Sequence, residues 1–80
     1  MTRTKFHDDL ESILLDYRKS ELREGTVGIG IRCAFSCLGG RISRLPSAPK
    51  GTNGAYFAMQ TMREVIEANP TLRKYYYPQP

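Results

Sequence analysis

The stretch PSAPKGTNG at 46–54 constrains the fold more than any other part of this sequence. Proline donates no backbone hydrogen bond and Asn53-Gly54 is a strong turn dipeptide, so no regular element is expected to run through it. The stretch therefore separates two patterned parts of the 80-residue chain. A chain of this length forms one domain with a small core, so we expect residues 1–80 to be a single domain and residues 70–80 to be its tail.

The first part begins with a clear helical pattern. Its apolar residues fall at i, i+4, i+7, i+8 and i+11, which is one face of a helix: Phe6, Leu10, Ile13, Leu14 and Tyr17. Thr4 is a candidate N-cap, and Asp8 and Asp9 suit the positive end of the helix dipole. We therefore predict an amphipathic helix over about residues 5–23 that stops at Gly25.

The next segment, TVGIGIRCAFSCLGG at 26–40, fits two periods. With a period of two, every odd position over 27–37 is apolar, as expected of a strand. With a period of 3.6, the segment favours an extended piece and then a short helix over 31–38, which Gly39 and Gly40 would end. Both interpretations stay open, since interior glycine weakens helices and strands alike.

Short strands are predicted on both sides of the turn-forming stretch. RISRL alternates polar and apolar residues at 41–46, and the aromatic run AYFAM suits a returning strand at 55–60. A last helix is predicted from Gln60 or Thr61, with an apolar stripe at i, i+3 and i+4 formed by Met62, Val65 and Ile66. Asn69-Pro70 closes this helix, because the residue before proline is driven out of the α region.

This order of elements resembles a winged helix-turn-helix domain. The form G-x-I-x-R-L is typical of the strand that enters a wing, and aromatic residues are typical of the strand that leaves it. The matching residues are Gly40, Ile42, Arg44, Leu45, Tyr56 and Phe57. The chain is also similar to small T7-type phage inhibitors of host stationary-phase RNA polymerase, through its Gly-x-Ile-Ser strand and Asn-Gly tip. The resemblance implies an α+β winged-helix-like fold and a DNA-binding transcription regulator encoded by a phage or mobile element.

The period-two interpretation leads to a different α+β fold. It consists of a helix, a three-stranded antiparallel meander with strands at 26–37, 41–46 and 55–60, and a packing helix. Gly39-Gly40 would then be a tight hairpin turn. The winged form needs two helices between the first helix and the first wing strand, and only 24–38 is available for them.

Charge is distributed unevenly along the sequence. The net charge is +4, yet no Asp or Glu occurs between Gly25 and Arg63. This asymmetry favours an anionic partner, with nucleic acid as the first hypothesis. The predicted nucleic-acid-binding residues are Arg32, Arg41, Arg44, Lys50 and Asn53, with Asn53 shaping the tip of the wing. The alternative is that these are solvated charges that protect a sheet edge.

Three consecutive tyrosines, Tyr75, Tyr76 and Tyr77, are the predicted partner-binding residues. Exposed aromatic rings often mark protein interfaces. The alternative is that one or two of them fold back and complete the core. They support a second functional hypothesis, a protein-binding inhibitor of a host enzyme such as RNA polymerase or a defence nuclease complex. Self-association into a homodimer is also left open.

Neither catalysis nor a cofactor is predicted. His7 is the single histidine and Cys33 and Cys37 are the two cysteines, so a metal site lacks ligands. We expect two reduced, buried thiols and a cytoplasmic location. The absence of an apolar run of about 18 residues argues against a membrane partner. We therefore expect a binding protein rather than an enzyme.

Overall fold

The computed structural model describes residues 3–23 and 30–77, and these residues form four helices. The helices are α1 (Lys5–Arg23), α2 (Ile31–Ser43), α3 (Gly54–Ala68) and α4 (Pro70–Tyr76). The described ranges contain no strand. Both α+β predictions, the winged-helix-like domain and the three-stranded meander, are therefore wrong, and so is the wing hairpin.

Helix α1 is confirmed as predicted, and its N-terminal cap explains where it begins. The Thr4 hydroxyl accepts a hydrogen bond from the His7 backbone N–H at 3.3 Å, as an N-cap residue does. In return, the Thr4 backbone N–H donates to His7 Nδ1 at 3.1 Å. The predicted apolar face is buried at Phe6 and Leu10 and continues to Leu14. The predicted stop at Gly25 lies outside the described residues.

Helix α2 takes in residues 41–43 of the predicted strand at 41–46, because its apolar face continues beyond the glycine pair, and residues 44–46 form no regular element. The buried residues of α2 follow a helical spacing: Ile31, Ala34, Leu38 and Ile42. Each interior glycine costs a helix about 1 kcal/mol, whereas burying an isoleucine side chain contributes about 1.5–3 kcal/mol. Burial of Ile42 thus carries the helix through Gly39 and Gly40 to Ser43. The predicted strand at 26–37 is also wrong from residue 31 onward.

Helix α3 begins earlier than predicted and includes the whole of the expected strand at 55–60. Its buried stripe starts one turn before Met62 and comprises Ala58, Met62, Val65 and Ile66. Asn53 occupies the N-cap position, so Asn53-Gly54 opens a helix rather than closing a hairpin. A glycine is needed at 54, since a Cβ there would lie 2.9 Å from the Pro49 carbonyl oxygen.

The predicted tail contains helix α4. Helix α3 ends at Ala68 before Asn69-Pro70, as predicted. The Asn69 side-chain oxygen then caps α4 by accepting from the Thr71 and Leu72 backbone N–H groups at 3.0 and 3.3 Å. Pro70 stands in the first turn, where its missing N–H costs no helical hydrogen bond.

Helix α3 is central to the packing. It contacts α1, α2 and α4, and α4 also packs against α1. Residues from all four helices form one hydrophobic core, to which the segment between α2 and α3 adds Ala48. This arrangement leaves the side of α2 that faces away from the core open to solvent.

Two glycine substitutions test the helical assignment of α2 and the close approach at the start of α3. We expect Gly39→Ala to raise the free energy of unfolding by about 0.5–1 kcal/mol, because the position is helical and a Cβ meets no atom within 4 Å. Gly54→Ala is the contrasting variant, and its overlap with Pro49 should cost about 1–3 kcal/mol. Urea unfolding followed by circular dichroism measures both. A destabilised Gly39→Ala variant would contradict the helix at this position.

Two adjacent tyrosines provide a second matched pair. The Tyr76 hydroxyl donates to the Leu14 carbonyl oxygen at 2.9 Å, whereas the buried Tyr75 hydroxyl has no partner among the described residues. Tyr76→Phe should therefore lose about 0.5–1.5 kcal/mol of stability, while Tyr75→Phe should be neutral or stabilising. The same unfolding titration separates them, and equal losses in both variants would refute the assignment.

The burial of Tyr76 also predicts how the stability of the fold depends on pH. Burial raises the pKa of Tyr76, and the neighbouring tyrosines add to the effect. The folded state therefore keeps a proton that the unfolded state releases above pH of about 10. Stability should be complete below that pH and fall as the pH rises, by up to about 1.4 kcal/mol per pH unit for each such group. In Tyr76→Phe the loss between pH 9 and 11 should be smaller than in the wild type.

Candidate nucleic-acid interface

The predicted arginines lie on helix α2 and its C-cap. Arg32 lies in the first turn, Arg41 in the last turn, and Arg44 is the C-cap residue. All three are exposed. A rise of 1.5 Å per residue separates Arg32 from Arg44 by about 18 Å along the helix axis. The structure thus places these guanidinium groups along one rod-like element instead of on the edge of a sheet.

Small side chains on the outer side of α2 leave the helix surface accessible to a partner. Arg32, Ser36, Gly40 and Arg44 recur at every fourth position and share one face. A Cβ at Gly40 would lie 3.7 Å from Arg44 Nη2, so the guanidinium of Arg44 folds back over this face. The Arg44 side chain is therefore folded against the helix surface and not extended into solvent.

The acidic residues in the first two turns of α1, Asp8, Asp9 and Glu11, are engaged by other groups. Arg3 contacts Asp8 and Glu11 at 2.7 and 2.8 Å, and Lys5 lies 3.4 Å from Asp9. Across the described ranges, no ion pair involves the arginines of α2 or Lys50. The acidic start of α1 thus leaves the positive charge of α2 available to an external anion.

The 44–53 loop joins α2 to α3, and its first half is anchored to α1. The Ser47 hydroxyl donates to Asp9 Oδ2 at 2.6 Å, and Ala48 is buried. The bond from Ser47 is the main cause that lowers the pKa of Asp9; Lys5 acts in the same direction and burial opposes it. The loop is thereby held against α1 and α3 before it reaches Lys50.

The second half of the loop projects into solvent. Residues 50–53 are all exposed. Gly51 has φ +107°, a backbone conformation that favours glycine. Lys50 lies beside α2, because both line one cavity, and the side chain of Asn53 makes no capping hydrogen bond to α3. The structure therefore brings Lys50 close to α2 and leaves the Asn53 amide available.

The predicted tyrosine patch is mostly internal. Tyr75 and Tyr76 are buried and stacked, with ring centroids 4.8 Å apart, and Tyr77 is half-buried. Together with Leu72 they follow the i, i+3, i+4 spacing of a buried helix face. Two of the three rings thus complete the core and are not available to a partner.

Two other aromatic rings are exposed, and sequence reasoning did not single them out as a binding site. Tyr56 and Phe57 are 60% and 50% exposed, and their rings meet edge to face at 5.6 Å. The signal was present, since both fall outside the helical stripe that begins at Ala58. The assignment of this segment to a strand concealed it, because a strand would put the two rings on opposite faces.

His7 has a structural position. The Thr4 N–H lies 3.1 Å from His7 Nδ1, and His7 Nε2 lies 2.9 Å from Glu64 Oε2. The histidine thus joins the start of α1 to α3. Both ring nitrogens therefore have partners within the protein.

The cysteines differ from the prediction in one respect. Cys33 and Cys37 are free thiols, as expected, but they are exposed rather than buried. The helical register turns them away from the core because the buried positions are Ala34 and Leu38. The interaction of Tyr17 with the Cys37 thiol, together with burial, raises the pKa of Tyr17. No group of three candidate metal ligands occurs within 3–23 and 30–77.

Comparisons with protein-family models, curated proteins and solved structures found no match to this chain. Among the described residues, no helix combines the length and the apolar character required to cross a membrane.

Proposed function

We propose that the chain binds nucleic acid through phosphate contacts made by the exposed arginines of α2 and its C-cap and by the exposed half of the 44–53 loop. The observation that carries the proposal is that Arg32, Arg41, Arg44 and Lys50 are all exposed and that no ion pair among the described residues involves them. Guanidinium and ammonium groups in such positions replace the counterions of a phosphate backbone. Three carboxylates at the start of α1, those of Asp8, Asp9 and Glu11, are engaged by Arg3 and Lys5.

Asn53 adds a neutral hydrogen-bonding group next to Lys50. An amide of this kind commonly contacts phosphate or sugar oxygens and sets the register of a bound strand. In this proposal the protein acts by occupying nucleic acid, as a small regulator does, and performs no chemistry on it. The proposal replaces the wing with a helix and a loop but retains the predicted residues.

Salt dependence tests this function. If four cations displace counterions from a single strand, the slope of log affinity against log salt should be about −3. Replacing Arg32, Arg41 and Arg44 by glutamine should flatten this slope by about 2. Fluorescence anisotropy with a labelled oligonucleotide at several salt concentrations measures both values.

The matched control removes three charges from other surfaces. Lys19, Arg73 and Lys74 are exposed on α1 and α4, and their combined replacement by glutamine changes the net charge by the same amount. This control should keep a slope close to that of the wild type. A flat salt profile in the wild type, or equal effects of the two triple variants, would rule out a localised phosphate-binding surface.

The exposed Tyr56–Phe57 pair favours a second candidate function, the binding of a protein partner. Aromatic side chains that offer large apolar contact areas are enriched at protein interfaces. Such a partner could be a host enzyme that the chain inhibits. The pair lies outside the proposed phosphate-binding residues, so the two functions can be tested independently.

A pull-down from nuclease-treated bacterial lysate distinguishes the candidates. If the second function is correct, a protein should be captured in stoichiometric amount and lost with Tyr56→Ser/Phe57→Ser. The triple arginine variant should still capture it. Capture that disappears after nuclease treatment would instead indicate contact through nucleic acid.

A further inference from the structure

A cavity of about 380 Å³ lies between α2, the 44–53 loop and the start of α3. Its walls are largely apolar and include one aromatic ring; among the residues that form them are Phe35, Gly39, Ile42, Ala48, Ala55 and Ala58. The exposed residues Lys50 and Gly51 also line it, so the cavity opens at the surface of the loop. It is therefore accessible from the proposed phosphate-binding surface.

We propose, on the basis of the function above, that this cavity accepts one unstacked base of a single-stranded nucleic acid. A phosphate next to that base would lie against Lys50, which lines the cavity. The inference names the class of nucleic acid and adds a base-binding pocket to a surface that otherwise recognises only the backbone.

The size and chemistry of the cavity suit a base. At roughly 30 Å³ per water, the volume of the cavity corresponds to about a dozen water molecules. Each water contributes one non-hydrogen atom, and a purine has roughly ten, so the cavity is large enough for a purine. The ring of Phe35 offers a surface for stacking, which every base can use. The Ser43 hydroxyl donates to the Gly40 carbonyl at 3.1 Å and keeps its acceptor capacity for a base N–H.

The positive charge of Lys50 favours a nucleic-acid base with its phosphates over a neutral apolar ligand in this cavity. Lys50 is the charged residue among those that line the cavity, and none of the described lining residues is a carboxylate. A ligand with an aromatic ring for the apolar walls and negative charges beside the ring for Lys50 matches this lining. A base within a duplex would first have to be unstacked, at a cost of a few kcal/mol, so the pocket favours single strands.

Abasic oligonucleotides provide the decisive comparison, because they keep the phosphates and lack the bases. We expect the wild type to bind a single strand of about twelve nucleotides roughly tenfold more tightly than an abasic strand of equal length and charge. Gly39→Leu directs a side chain into the open space of the cavity and should abolish this preference. Gly39→Ala, which leaves most of the cavity open, should retain it.

The outcomes separate the pocket from the surface. Equal affinities of the wild type for both strands would overturn the base-binding pocket and leave phosphate binding intact. The absence of salt-dependent binding to either strand would overturn the proposed function itself. Retention of the base preference in Gly39→Leu would also overturn the pocket. Unchanged binding of that variant to the abasic strand verifies that its fold and cationic surface are preserved.

Discussion

Burial of the apolar stripe of α3 is the interaction on which the rest of the structure depends. Its members, Ala58, Met62, Val65 and Ile66, contact elements that could not stand alone. Isolated helices shorter than about 12–15 residues are marginal in water, and α4 has seven residues. Each large side chain buried against this stripe contributes about 1.5–3 kcal/mol, which exceeds the propensity differences that local sequence expresses.

The same packing determines which surface is offered to a partner. Helix α2 gives one side to α3 and presents Arg32, Arg41 and Arg44 on exposed positions. The hydrogen bond from Ser47 to Asp9 fixes the first half of the connecting loop and occupies an acidic group of α1. Across the described ranges, the exposed arginines of α2 and its C-cap take part in no ion pair.

Prediction from sequence succeeded where every local signal agreed. In α1 the helical period, the Thr4 cap and the charges near the dipole ends all indicated the same element. It failed in α2 because the period-two and 3.6 patterns coincided, and the glycine pair was interpreted as a stop. It failed in α3 because Asn53-Gly54 is equally compatible with a hairpin turn and with the first residues of a helix, and only Ala58 extends the apolar stripe to that turn.

The candidate site was predicted in part. The cationic residues could be chosen from the sequence, because the absence of carboxylates over a long segment is a property of composition. The cavity beside Lys50 could not, since its walls come from α2, the loop and α3. The exposed aromatic pair was missed for a related reason: the faces of Tyr56 and Phe57 depend on which element contains them.

The sequence by itself determined the first helix, the break before Pro70 and the uneven distribution of charge. These follow from residues close together in the chain. Only the tertiary structure decided that Ile42 and Ala58 are buried, that Tyr75 and Tyr76 belong to the core, and that Ser47 reaches Asp9. The physical reason is that burial depends on contacts between distant segments, and the free energy of those contacts outweighs the weak local preferences of glycine-rich and turn-forming stretches.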